Sequence, residues 1–396
     1  MLAPSDEAAF GAVIAEAAAA NEPLSIVGAG SKSGMLRPVQ AARSLSTRNH
    51  AGITLYSPNE LIISARAGTP VAEIETALAE HGQHIIAEPS DLALLTGAEE
   101  PQTIGGVIAT NLSGPRRIAW GAMRDHLLGV RAVTGRGEVI RSGGRVLKNV
   151  TGLDLCKLLA GSHGTLGVIT EVTLKVLPAP EKVGTLVLHG LDAAAGVAKL
   201  SAALGSPYSV SGAAWLPREA AARVGPFAGS VSLIRIEDFA ASVGYRTGRL
   251  RDDLGQAGTD ILDDAESRRI WRALRTMEAL PVGHDDAVWR VSVRPSAGPT
   301  VLHTLAEGCG MRGYLDWGGG LVWLVGSPTA EVHQTVETAA TLAGGTWTLM
   351  RAPEPLRAAV NVLPPEPETL ARIARRVKAT LDPRAILNPG RMYAGL

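Results

Sequence analysis

The chain has 396 residues, room for two hydrophobic cores, and its 46% hydrophobic and 19% charged residues with 45 glycines describe a folded protein rich in tight turns, excluding a disordered one. Basic and acidic residues balance at 38 each, which excludes the net basic field that nucleic acid or an anionic membrane surface calls for. Cys156 and Cys309 form no C-x-x-C, the start Met1-Leu2-Ala3-Pro4-Ser5-Asp6-Glu7 is acidic where a leader would be basic, and no apolar run reaches the ~20 residues of a membrane span, so the expectation is a cytoplasmic protein without direct membrane insertion.

Ser5 or Asp6 can cap a helix over 8–20, in which Phe10, Val13, Ile14 and Ala17 keep helical spacing. Residues 24–27 and 61–65 read as short strands that run toward glycines, and 71–81 as a helix with Gly82 as its C-cap. The runs 130–134 and 138–141 flank Gly135-Arg136-Gly137 as a β-hairpin, and a strand over 168–177 closes at Pro178 and Pro180. Those prolines place a domain exit near residue 181. Beyond it, strand-like runs at 185–188, 230–236, 288–293, 321–325 and 347–350 alternate with helical stretches at 193–204, 266–277, 301–307 and 331–342. A last helix over 368–381 carries Leu370, Ile373, Val377 and Leu381 on the face expected to pack on the core, with Arg372, Arg375 and Arg376 opposite.

Chemistry enters at Gly28-Ala29-Gly30-Ser31-Lys32-Ser33-Gly34, which follows a strand and so invites a Rossmann interpretation. Pro38 falls where the Rossmann helix would run, and no acidic residue occurs between Glu22 and Glu60 to hold a ribose, so that option is set aside. What remains is a phosphate nest, in which glycines let backbone N–H groups and the Ser31 and Ser33 hydroxyls converge on an anion, with an ordinary turn as the alternative. Further glycine segments join it: Glu88-Pro89, then Thr103-Ile104-Gly105-Gly106-Val107-Ile108-Ala109-Thr110-Asn111-Leu112-Ser113-Gly114-Pro115, then Gly161-Ser162-His163-Gly164-Thr165-Leu166-Gly167-Val168-Ile169-Thr170.

With these segments in order, residues 5–180 resemble the FAD-binding domain of the vanillyl-alcohol oxidase and p-cresol methylhydroxylase (PCMH) superfamily. The resemblance implies an α+β fold: a two-part PCMH-type FAD-binding domain over 1–180, a smaller α+β cap domain with an antiparallel sheet over 181–360, and a helix and tail over 361–396 returning to the FAD domain. It implies that the pyrophosphate rests on residues 28–34, the isoalloxazine and ribityl chain against 103–111, and the adenine side against 164–170. The implied FAD contacts are Gly28, Ala29, Gly30, Ser31, Lys32, Ser33, Gly34, Pro89, Thr103, Gly105, Gly106, Ala109, Asn111, Gly114, Gly164, Gly167, Val168 and Ile169. Some relatives bond FAD covalently through His or Cys on the first loop; residues 28–34 contain neither, so non-covalent FAD is expected.

Three further stretches, Ser113-Gly114-Pro115-Arg116-Arg117, Lys148-Asn149-Val150-Thr151-Gly152-Leu153-Asp154 and Asn388-Pro389-Gly390-Arg391-Met392-Tyr393, are similar to the FAD-binding subunit of bacterial glycolate oxidase. This implies a complex with a larger FAD-containing catalytic subunit and an iron–sulfur subunit, oxidising glycolate, a small 2-hydroxy acid, to glyoxylate, with any membrane association through those partners. A self-standing FAD-dependent 2-hydroxyacid dehydrogenase or oxidase, and a structural subunit without stable flavin, are the alternatives. No catalytic residue is assigned; Arg391 is the candidate for a cation near the isoalloxazine, competing with a plain surface arginine. Arg116 and Arg117 read as partner-facing or solvated, and Arg124-Asp125 as a local ion pair. No metal is expected, because His284, His303 and His333 are scattered without an H-x-H or H-E-x-x-H pattern.

Overall fold

The computed structural model describes residues 1–145 and 153–395, so the stretch Lys148–Gly152 singled out above lies outside the described residues. The chain opens with helix Glu7–Ala20, whose first turn is capped by Asp6 accepting the Ala9 N–H at 2.8 Å and whose end is turned by Asn21 in the left-handed region. Its buried Phe10, Ile14 and Ala17 pack on Leu24, Leu45, Val133 and Val168, and on Ile386 and Leu387 from the far end of the chain. Each such side chain, fully buried, contributes about 1.5–3 kcal/mol, so this small core fastens the C-terminal tail beside the first strand.

Strand Leu24–Val27 pairs in parallel with Arg43–Ser46, and between them runs a loop of turns with no helix where Pro38 stands. A five-stranded antiparallel sheet follows, in the order Ile53–Ser57, Ile62–Arg66, Val168–Lys175, Leu127–Val133, Val139–Gly143. Its apolar face, including Ile63, Ala65, Val130, Ala132 and Val172, is covered by helices Val71–Ala79 and Ile104–Thr110. The hairpin around Gly137 forms with Val133 opposite Val139. Helix Val71–Ala79 ends with Glu80 as its C-cap, and Gly82 takes its positive φ of 61° just beyond.

An eight-stranded antiparallel sheet occupies the second half, in the order Thr259–Leu262, Lys182–His189, Val231–Asp238, Val210–Leu216, Arg312–Asp316, Leu321–Gly326, Ala287–Ser292, Thr346–Arg351. Three of these strands carry too little β signal to be seen in the sequence. Val210–Leu216, for example, contains Gly212-Ala213-Ala214, and Gly212 is small because the Trp271 ring lies against it: an added Cβ would stand 2.9 Å from the indole. The core of this sheet also takes in Met35, Leu36, Leu92, Leu95 and Leu112 from the first half, so the glycine loop is anchored on the larger sheet's side as well.

Helix Glu368–Leu381 corrects the expectation that its apolar stripe packs on the core. Leu370 and Ile373 are 54% and 53% exposed, and Lys378 is the buried residue of the helix. The attachment is polar: Lys378 Nζ donates to the Thr165 and Leu387 carbonyls at 2.7 and 3.0 Å and pairs with Asp382 at 2.7 Å. Among the described residues, no helix is long and apolar enough to cross a membrane.

Candidate FAD site

The segment 28–34 leaves strand Leu24–Val27 and lies against the start of helix Ile104–Thr110. Contact there is close enough that a Cβ on Gly28 would collide with Thr103 Oγ1, the oxygen that caps the helix by accepting the Gly106 N–H at 3.3 Å. Gly105 is required on the other side, since its Cβ would stand 2.6 Å from the Ala67 side chain and 2.8 Å from the Ala67 carbonyl. Gly30 adopts a φ of 85° and has nothing within 4 Å of a notional Cβ, so this part of the loop presents bare backbone. Ser33 closes the turn rather than reaching outward, its Oγ donating to the Gly30 carbonyl at 2.9 Å.

These elements enclose a cavity of about 410 Å³, within the range of cofactor clefts. Its walls include residues 25–34, Thr103, Gly105, Gly106, Ala109, His163, Gly164, Gly167, Val168, Ile169, Asn388 and Arg391. Of the sequence-predicted contacts, the structure brings all of 28–34 here, with Thr103, Gly105, Gly106, Ala109, Gly164, Gly167, Val168 and Ile169. Pro89, Asn111 and Gly114 stand elsewhere. The Pro89 carbonyl accepts from Arg275 at 2.9 Å, Asn111 Oδ1 accepts the Arg124 N–H at 2.9 Å, and Gly114 lies flat against the Glu88 carbonyl, leaving no room for a Cβ.

Charge in the cavity is net cationic, with Lys32, Arg357 and Arg391 against Glu354. Burial pulls the Lys32 ammonium down to about 8 and the Arg391 guanidinium down to about 10, and lowers Arg357 as well. Among the described residues none of the three forms an ion pair; Lys32 Nζ donates to Gln102 Oε1 at 3.0 Å, and Arg391 donates to the carbonyls of Lys32, Ser33 and Arg37 at 2.8, 3.2 and 3.0 Å. His163 adds no charge, because burial and then Arg391 hold it down to about 3. A desolvated lysine beside bare glycine backbone fits a pyrophosphate, with the Arg391 and Arg357 charges adding to the favourable field. The residues present therefore suit the phosphates of FAD, with Lys32 and the 28–34 backbone as the holding groups.

Asn388, which carried no role in the sequence beyond its Asn-Pro-Gly context, ties the walls together. Its Oδ1 accepts the Ile26 N–H at 2.7 Å, and its Nδ2 donates to the His163 and Ile26 carbonyls at 2.8 and 3.3 Å. Arg357 had no sequence signal, since packing brings it here from an unrelated stretch, while Gln102 adjoins the Thr103 segment and holds Lys32.

Arg116 is neither solvated nor free, which overturns its surface interpretation, whereas Arg117 is half-buried and without an ion pair among the described residues. Arg116 lies in a buried seam between the two large sheets, bonded to Glu237 at 2.6 Å and to His84 at 2.9 Å, beside an Arg235–Glu88 pair at 3.0 Å. Burial opposes ionisation of Glu237 and Glu88, but the neighbouring guanidiniums outweigh it and hold both carboxyls below their ordinary range. Arg117 stacks on Trp317, 4.4 Å from the ring centroid. Arg124 and Asp125 form the local pair at 3.9 Å. His333 is packed between Trp289 and Trp347.

Fold and cavity together define a PCMH-type FAD-binding flavoprotein. Residues 1–143 match the FAD binding domain family. The chain is similar over its whole architecture to alkyldihydroxyacetonephosphate synthase, with a TM-score of 0.70 at 19% identity over 98% of this chain and 75% of that one, and to 4-ethylphenol oxidase from Gulosibacter chungangensis, with a TM-score of 0.69 at 13% identity over 98% and 88%. In sequence it is 34% identical to the glycolate oxidase subunit GlcE of Escherichia coli over 94% of this chain and 93% of that one. Glycolate oxidase subunit GlcD of Bacillus subtilis is 32% identical over a shorter region, 40% of this chain and 33% of that one. The chain belongs to the family of the FAD-binding subunit of bacterial glycolate oxidase.

Proposed function

We propose that the chain is the FAD-binding subunit of a complex that oxidises glycolate to glyoxylate, working with a larger flavoprotein subunit and an iron–sulfur subunit. The observation that carries this is similarity along nearly the full length of both chains to a glycolate oxidase subunit. The cationic, glycine-lined cavity supports it, because Lys32 stands desolvated beside bare backbone without an ion pair among the described residues. When bound, FAD supplies a two-electron acceptor for the carbinol carbon of the substrate.

In this proposal residues 1–180 hold the flavin, 181–360 cover it, and 361–396 fasten the two ends. Lys32 holds the pyrophosphate, Gly28, Gly30, Gly34, Gly105 and Gly106 let backbone approach it, and Arg391 fixes the loop by its grip on three carbonyls. FAD is held without a covalent bond. A self-standing 2-hydroxyacid dehydrogenase is the second interpretation, favoured by the unpartnered Tyr314 hydroxyl of the large sheet and by Arg290 lying over Trp317.

The test is to purify the chain alone and with its partner subunits, record the visible spectrum, and add glycolate anaerobically. Flavin that bleaches only in the assembled complex supports the subunit; bleaching of the isolated chain selects the self-standing enzyme; a colourless chain that cannot be reconstituted with FAD sinks both. Acid precipitation should release the flavin into the supernatant, and flavin retained in the pellet would overturn the non-covalent attachment.

A further inference from the structure

A second set of polar residues lies outside the FAD cavity, where the first half of the chain meets the large sheet. Trp317 follows strand Arg312–Asp316, and its indole N–H donates to the Gly114 carbonyl at 3.1 Å, at the end of the glycine segment whose earlier residues line the FAD cavity. Two guanidiniums lie over its ring: Arg117, from the first half, at 4.4 Å from the centroid, and Arg290, from strand Ala287–Ser292, at 5.0 Å. Among the described residues neither arginine has an ion-pair partner, and both keep part of their surface open to solvent.

The surroundings compensate these cations only in part, through Asp125 for Arg117 and Asp316 for Arg290. Burial, and then repulsion from Arg117, brings the Arg290 guanidinium down to about 10. Asp316 on this face accepts the Trp317 N–H at 2.7 Å; burial raises its carboxyl to about 7 against the opposing pull of that N–H, Arg235 and Arg290, so at neutral pH it is only partly ionised and offsets Arg290 only in part. Tyr314, two residues earlier on the same face of its strand, is fully buried and its hydroxyl has no partner. Strand register puts Tyr314 and Arg290 on one rung, both opposite Trp323. Two guanidiniums without an ion pair among the described residues, an unpartnered hydroxyl and a carboxyl able to hold a proton thus share the face of the sheet on which Trp323 stands, Tyr314 and Arg290 flanking it.

We infer that Arg117 and Arg290 form a binding site for a small carboxylate anion, with Tyr314 and Asp316 positioned for a hydroxyl group on the same molecule. Planar guanidiniums suit a planar carboxylate, and an anion beside them offsets the repulsion that Arg117 exerts on Arg290. The inference deepens the function proposed above and rests on its small 2-hydroxy acid, but its test does not depend on turnover.

The probe is oxalate, a carboxylate that cannot be oxidised as an alcohol, titrated into the flavin-loaded full chain. Binding is followed at the Trp317 indole ¹H–¹⁵N resonance, assigned by its disappearance in Trp317→Phe. A saturable shift is expected in the native chain, and Arg290→Gln and Arg117→Gln should each raise the Kd about tenfold or more with flavin content unchanged, while Arg290→Lys stays closer to native. Absence of a saturable shift in the native chain, unchanged affinity in both glutamine variants, or inorganic phosphate moving the resonance as strongly as oxalate would overturn the inference. If Arg290→Gln loses its flavin or its fold, Arg117→Gln decides, because that side chain opens the short helix Arg117–Trp120, half-exposed and outside the sheet. Failure of the parent function is distinct: oxalate would still bind while the assembled complex left glycolate untouched.

Discussion

Burial holds Lys32 at about 8, below the range of an ordinary ammonium, and this fixes how flavin binding should respond to pH. The pyrophosphate favours the charged form, so affinity is greatest where Lys32 is protonated and falls as pH rises through about 8. Titrating FAD into apoprotein should therefore show weaker binding at about pH 9.5 than at about pH 7, and Lys32→Gln should weaken binding about tenfold and flatten that dependence. Gly28 makes a steric prediction instead. Gly28→Ala drives a methyl into Thr103 Oγ1 and should lower flavin occupancy, measured as the ratio of visible to ultraviolet absorbance. Adding Thr103→Ala should restore part of it, although losing the helix cap costs about 1 kcal/mol. No recovery would show that the strain lies elsewhere in the loop.

The tail around Asn388 closes the structure on itself. It is distant in sequence from Ile26 and His163, yet one side chain satisfies groups on both. Asn388→Ala leaves a buried Ile26 N–H and the His163 carbonyl without partners, at about 1–3 kcal/mol for each buried group. Urea unfolding should show a loss of about 2–5 kcal/mol, with flavin released ahead of the global transition. The helix Glu368–Leu381 is fastened differently, through Lys378 at its last turn, which is why its exposed Leu370 and Ile373 tolerate polar replacement. Leu370→Gln should leave stability within about 0.5 kcal/mol of native. Amphipathic periodicity located this helix correctly; its burial followed from one lysine that meets three carbonyl or carboxylate oxygens only after the chain has folded.

Across the molecule, the seam of Glu88, Arg235, Arg116 and Glu237 joins the two large sheets. Breaking one buried pair leaves an uncompensated charge, so Glu88→Gln should destabilise by about 3–5 kcal/mol, and replacing Glu88 and Arg235 together with apolar residues should cost less than the sum of the single changes. The pH dependence has a definite sign. Both carboxyls are depressed in the folded state, so their contribution is present above the ordinary glutamate pKa of 4.5 and is lost as pH falls through their folded values. Thermal unfolding should show the native chain losing stability below about pH 4.5 more steeply than Glu88→Gln. Equal slopes would mean that the seam does not hold the sheets together.

Local signals were enough for much of this. Asp6 before an alanine-rich helix, the hairpin glycines and the proline pair after residue 177 each act within a few residues, and the three glycine segments show in the sequence because close backbone approach admits no other residue type. The family, too, is legible in those segments. Pairings between distant residues left no such mark. Arg116, Arg117 and Arg391 look alike in sequence, as solvent-compatible cations, and differ because folding delivers one to Glu237, one to Trp317 and one to loop carbonyls. Asn388 and Arg357 join the FAD site for the same reason. Backbone conformation and hydrophobic periodicity are properties of neighbours along the chain, whereas the partner of a buried charge is set by where two halves of the chain come to rest.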